Sequence, residues 1–153
     1  MKKPIYHADT EMLIRKPVSE VFNAFIKPEY TTKFWFTHSS GPLVEGETIE
    51  WTWEMYGHSV NVLVQEIVPN KKIKIKWGEG LSGVVKWNFK DIGGKHTLVS
   101  ISNAGFEGNT EEIITQIADA TGGFTLVLAG LKAYLEHGIQ LNLIGDRFPE
   151  IPE

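Results

Sequence analysis

Residues 109–136 read NTEEIITQIADATGGFTLVLAGLKAYLE, and the period of this stretch decides the fold. Apolar residues recur at Ile113, Ile117, Ala120, Phe124, Leu128, Leu131 and Leu135, at steps of 4, 3, 4, 4, 3 and 4. That is the stripe of one long amphipathic helix. Asn109 with Glu112 three residues on is a capping-box start, and His137-Gly138 is a stop signal. The spacing predicts a helix over about 110–136, with Phe124, Leu128 and Leu131 buried. Gly122-Gly123 interrupts the stripe, and a glycine pair there marks a kink or a close approach.

Upstream of this helix the period is two. Residues 48–56 alternate around Ile49, Trp51, Trp53 and Met55, and the turn Tyr56-Gly57-His58 leads into 59–68, where Val60, Val62 and Val64 share a face. After the turn signal Pro69-Asn70, KKIKIKW puts Ile73, Ile75 and Trp77 on one side and Lys72, Lys74 and Lys76 on the other, as a strand wet on one face does. VVKWNFK repeats the pattern with Val85, Trp87 and Phe89 inward, and 95–103 follows after Asp91-Ile92-Gly93-Gly94. Five strands in succession joined by short turns make an antiparallel meander. The long helix must lay its stripe on one face of that sheet.

Towards the N-terminus, residues 5–15 read as a strand with blurred alternation. KPVSEVFNAFI then takes helical spacing, with Val18, Val21, Phe22 and Phe25 on one face. Pro28 ends that helix, because the residue before a proline is pushed out of the helical region, and a second short helix is expected over 29–34. The tail from Ile139 to Glu153, with Pro149 and Pro152, is expected to be irregular. The expected class is therefore α+β: a curved antiparallel sheet wrapped around a long C-terminal helix, with two short helices after the first strand. The whole chain, 1–153, is taken as one domain, with a core over 5–136.

Composition bounds the function. The chain has 153 residues, no cysteine and a net charge of −4. The charge argues against a phosphate-neutralising nucleic-acid binder. Without cysteine there is no disulfide, thiolate zinc site or cysteine nucleophile. The start MKKPIYHADTEM lacks an apolar core, so no signal peptide is expected. The best apolar run, 124–131, is far short of a bilayer span. The expectation is a cytoplasmic protein with no membrane insertion. Five tryptophans are many for this length, and each brings an N–H that wants a partner.

Catalytic motifs are scarce. Gly78-Glu79-Gly80-Leu81-Ser82-Gly83 matches GxGxxG formally, but a strand follows it, so there is no helix N-terminus to hold a phosphate; it reads as a hairpin loop. His7, His38, His58, His96 and His137 are scattered without ligand spacing, and neither a metal nor a cofactor is expected. Glu50 and Glu54 oppose Trp51 and Trp53 in the alternation, which points them to water; in the other register one would face inward as an acid or base. Ser102 and Asn103, at the end of the last strand, read as loop-end polar residues.

Three stretches carry a family resemblance. LIRKPVSEVFNAFIKPEYTTKFWF, with Pro17, Val21, Phe22, Pro28 and Trp35, is similar to the opening of START-like helix-grip proteins, in the branch named after the activator of heat-shock protein 90 ATPase. IVPNKKIKIKW resembles that branch's strand pair through Val68, Pro69, Ile73, Ile75 and Trp77. GGFTLVLAGLKAYL resembles its terminal helix through Gly123, Phe124, Leu128, Leu131 and Leu135. Phe124 stands where the branch more often has tryptophan, and GPLVEG at 41–46 replaces its usual glycine pair. The resemblance implies a helix-grip fold, a family whose members bind hydrophobic ligands, cyclise polyketides or stimulate a chaperone, and no universal catalytic residue.

The reading that follows is a small hydrophobic or aromatic ligand bound between sheet and helix. Trp51, Trp53, Trp77, Trp87, Phe106, Phe124 and Leu128 are its expected lining, with Trp35 and His38 near the entrance. A cyclase or hydrolase using the same cavity is one alternative, decided by the register of Glu50 and Glu54; a chaperone-contacting module is the other.

Overall fold

The computed structural model describes residues 6–151, so Ile5 of the expected first strand, and Pro152 and Glu153 of the tail, lie outside the described residues. The elements run β1 (His7–Ile14), α1 (Val18–Ile26), α2 (Pro28–Thr31), β2 (His38–Ser39), β3 (Thr48–Trp53), β4 (His58–Val68), β5 (Lys72–Trp77), β6 (Gly83–Ile92), β7 (His96–Ala104), α3 (Thr110–His137) and α4 (Leu143–Asp146). The strands form one antiparallel sheet of seven, in the order β1-β7-β6-β5-β4-β3-β2. From β3 to β7 the chain is the expected meander. β1 returns to pair with β7 at one edge, so the segment carrying α1 and α2 crosses to the other edge at β2. This is the α+β arrangement that the pattern implied, and the helix-grip fold that the resemblance implied.

The alternation places the core. Val62 and Val64 of β4, Ile73 and Ile75 of β5, Val85, Trp87 and Phe89 of β6, and Val99 and Ile101 of β7 all point to one face and are buried. The lysines between them on β6 stay in water. A register shift between Val64 and Glu66 against β5 bulges β4 at Gln65, and such a bulge bends the strand. α1 covers one end of the concave face, with Phe22 against Phe89 at 5.3 Å edge-to-face. Lys27 is extended at φ −100° and ψ 116°, as the residue before Pro28 must be. The second helix is shorter than expected. It ends at Thr31, whose buried hydroxyl donates to the Ala24 carbonyl at 2.5 Å and ties the two helical pieces together.

α3 covers the rest of that face. Its capping box is formed: the Asn109 side chain accepts from Glu112 N–H at 2.9 Å, and Glu112 accepts from Asn109 N–H at 3.3 Å. It runs without a break to Gly138, which closes it at φ 67°. Phe124, Val127, Leu128 and Leu131 are buried in the core. Although no single apolar run spans a bilayer, α3 as a whole is long and apolar enough to do so; here it is the core helix of the fold. Its C-terminal end is clamped to β1. Glu136 accepts from Arg15 N–H at 2.9 Å and from Lys132 Nζ at 2.7 Å, and Lys132 also donates to the Leu13 carbonyl at 2.8 Å. Burial pushes the Glu136 carboxyl up, but those hydrogen bonds and the Lys132 charge outweigh it and hold the group below its ordinary value.

Three expectations need correction. β3 stops at Trp53, where Glu54–Tyr56 form a 3-10 turn closed by Gly57 at φ 58°, so Met55 is 45% exposed rather than inward. His38 belongs to a strand, β2, that pairs with Thr52 at the sheet edge. The tail is not wholly irregular: it forms α4 and docks back on the molecule.

Candidate functional site

Between the concave face of the sheet and the first half of α3 lies an open cleft of about 680 Å³. Its apolar wall is built from inward-facing strand residues and one face of the helix. Trp53 comes from β3, Trp77 from β5, Phe106 from the loop after β7, and Phe124 and Val127 from α3, with Trp35 from the loop after α2. Trp35 was expected near an entrance; it stands at the hub instead. Its ring centroid is 4.8 Å from Trp51, 6.2 Å from Trp53, 6.0 Å from Trp77, 5.9 Å from Trp87 and 5.7 Å from Phe124. These separations lie in the range where aromatic pairs attract.

Of the nine residues expected to surround a ligand, five line the cleft: Trp35, Trp53, Trp77, Phe106 and Phe124. Trp51, Trp87 and Leu128 stand one layer behind, each no more than 1% exposed. Trp51 is stacked on Phe36 at 4.6 Å, and the enclosed Trp87 Nε1–H has no hydrogen-bond partner among the described residues. His38 is exposed on the edge strand and does not line the cleft. Alternation picks out residues facing the core; it does not separate those touching a void from those packed behind it.

The glycines of the failed phosphate motif find their use here. Gly78 and Gly80 lie in the β5–β6 loop as expected, Gly83 opens β6, and Gly78, Ser82 and Gly83 line the cleft. A Cβ on Gly83 would sit 2.7 Å from Trp77 Cδ1 and 2.9 Å from its Nε1. Gly83 is therefore the bed on which the Trp77 indole lies. Glu50 of β3 and Glu54 of the following turn are both exposed and neither lines the cleft, so neither is an inward carboxylate.

Two sets of site residues escape a reading of the sequence. Asn103 reads as a loop-end polar residue, yet it continues the inward set Thr97, Val99 and Ile101 of β7 and is only 5% exposed. Counting by two from Val99 finds it. The second set is the tail. Arg147 Nη2 bonds the Asp119 carboxylate of α3 at 2.9 Å and the Asp119 carbonyl at 3.0 Å. Its guanidinium lies on Gly122 and Gly123, where added Cβ atoms would come within 3.1 and 2.7 Å of its nitrogens. The glycine pair is thus a close approach and not a kink. Across the cleft, the Tyr56 hydroxyl donates to the Ile144 carbonyl, and its ring meets Phe148 at 6.2 Å. Ile144, Arg147 and Phe148 all line the cleft, so the tail forms part of its mouth. Contacts between Tyr56 and residues some ninety positions away leave no local signal.

The family model described as Activator of Hsp90 ATPase homolog 1-like protein matches residues 15–136. No curated protein matches the chain. Among solved structures, the protein SSP2350 from Staphylococcus saprophyticus is 28% identical with a TM-score of 0.77, over 89% of this chain and 96% of that one. The solution structure of the Aha1 dimer from Colwellia psychrerythraea is 18% identical with a TM-score of 0.75, over 88% of this chain and 98% of that one. DynU16, from the dynemicin biosynthetic locus, is 19% identical with a TM-score of 0.78, over 90% of this chain. This chain spans 49% of DynU16. The two more distant likenesses bear on the fold alone.

Proposed function

The chain belongs to the family of Activator of Hsp90 ATPase homolog 1-like proteins, and from that premise we propose that it binds a small, largely apolar molecule with aromatic character in the cleft between sheet and α3. One observation carries this reading: Trp35, Trp53, Trp77, Phe106 and Phe124 turn their surfaces to an open space of about 680 Å³ rather than filling it. A volume of that size falls in the range of small-molecule sites, which are mostly apolar with a few placed polar groups. The helix-grip arrangement, in which families often bind small hydrophobic molecules, supports the same reading. Trp51, Trp87 and Leu128 act from behind by fixing the rings that touch the ligand.

Affinity on this reading comes from apolar burial at about 25 cal/mol per Å², so a planar aromatic is preferred over a small polar metabolite. The test is a panel of apolar and aromatic compounds, read by tryptophan emission and melting temperature, with mass spectrometry of gently purified protein for a co-purifying molecule. The expected result is a saturable change in emission with a raised melting temperature, since a ligand of the native state stabilises by mass action. If no member of the panel binds, the cleft reading is wrong, and a contact with a chaperone through the outer surface takes its place.

A further inference from the structure

Asn103 is the one inward residue of β7 in the cleft that is neither apolar nor small, and its amide is held in a single orientation. Nδ2 donates to the Val84 carbonyl at 3.1 Å and to the Ala104 carbonyl at 3.3 Å. Both partners are carbonyl oxygens, so only the NH2 end can face them, and flipping the amide would lose both bonds. The NH2 group thus serves both carbonyls. That leaves Oδ1, an acceptor, with no hydrogen bond among the described residues. Among the described residues, the fully enclosed side-chain atoms without partners are Gln65 Oε1 and Trp87 Nε1. Asn103 Oδ1 is not among these, although the residue is 95% buried, and Asn103 lines the cleft. The oxygen is therefore reached from the cleft.

We propose that Asn103 Oδ1 is the polar anchor of the cleft, selecting aromatic ligands that carry an O–H or N–H donor, such as phenols or aryl amines. The proposal deepens the ligand-binding reading above and rests on it. A buried acceptor covered by an apolar group loses its water and gains nothing in return, whereas a donor placed on it recovers the bond. The surrounding wall of Trp35, Trp77 and Phe124 holds the ring in place, and the immobile amide fixes where the donor must sit. Selection thus comes from rejecting ring systems that cannot donate, more than from attraction to the donor itself.

The experiment uses the full chain and two matched probes, 2-naphthol and 2-methoxynaphthalene, which share ring and oxygen but differ in the donor. Calorimetric titration should show 2-naphthol binding about tenfold tighter, the equivalent of one good hydrogen bond. In Asn103→Leu, with its fold checked by circular dichroism, the two affinities should converge. Equal affinities in the natural protein overturn the proposal while leaving the cleft reading intact. A preference for 2-naphthol that survives in Asn103→Leu also overturns it, because the donor is then read elsewhere. Binding of neither probe overturns the cleft reading and this proposal together. If Asn103→Leu does not fold, Asn103→Ala is titrated in its place and read by the same two outcomes.

Discussion

Gly123→Ala separates what the glycine pair does for α3 from what it does for the tail. Gly123 is in the interior of a 28-residue helix and is not among the glycines of positive φ, so alanine is allowed by the backbone. In a helix interior, Gly→Ala gains about 1 kcal/mol. Against this, the new Cβ would lie 2.7 Å from Arg147 Nη1, closer than real contacts allow. The guanidinium is the free end of a flexible side chain, so it gives way and the helix does not. What is lost is the pair with Asp119, whose side chain is 65% exposed; such pairs contribute about 0–1 kcal/mol. The two effects nearly cancel, and the unfolding midpoint should stay within about 4 °C of the natural protein. Locally they do not cancel. α4 has four residues and is too short to persist alone, so losing the Arg147 seat should speed exchange of the Asp146 amide, which is bonded to the Asn142 carbonyl at 2.9 Å. A loss of about 1 kcal/mol corresponds to roughly fivefold faster exchange. Arg147→Ala should give the same change in exchange without the helix gain. Thermal unfolding and native-state hydrogen exchange read both quantities. A midpoint that falls by much more than 4 °C, or an Asp146 amide unchanged in either variant, would refute the reasoning.

Leu128→Ala empties a site with no solvent exposure behind the cleft and should cost about 2–5 kcal/mol in denaturant unfolding; an unchanged midpoint would remove the helix stripe from the core. Asn109→Ala breaks the capping box at 2.9 Å and should cost about 0.5–2 kcal/mol, again read by denaturant unfolding. Glu136 has a lowered pKa in the folded state, so its contribution is complete above its ordinary value of 4.5 and is lost as pH falls through the lower folded value. Unfolding followed against pH should therefore show a smaller acid loss in Glu136→Gln; parallel profiles for the two proteins would contradict the clamp to Arg15 and Lys132.

The wall of the site was more legible than its polar parts. The inward aromatics of β3, β5 and α3 stand at positions of period 2 or 3.6, so Trp53, Trp77 and Phe124 could be placed on the right face before any packing was known. Trp51 and Trp87 carry the same signal and end up behind the cleft, because depth within a core has no period. Asn103 was misjudged because polarity near a strand end usually marks a turn, whereas the ladder continues through it to Ala104.

By itself the sequence determined the antiparallel meander, the long capped helix and the face each presents, since these follow from local spacing and from Asn109, Glu112 and Gly138 acting on their own neighbours. Only the tertiary structure decided where the void lies, that Trp35 is its hub, that Gly83 and Gly123 serve as beds for Trp77 and Arg147, and that the tail returns to the mouth. Those depend on chain segments meeting across the fold, such as Tyr56 with Ile144 or Asp119 with Arg147. Such meetings are set by how sheet and helix close on each other, and no residue's local preference encodes them.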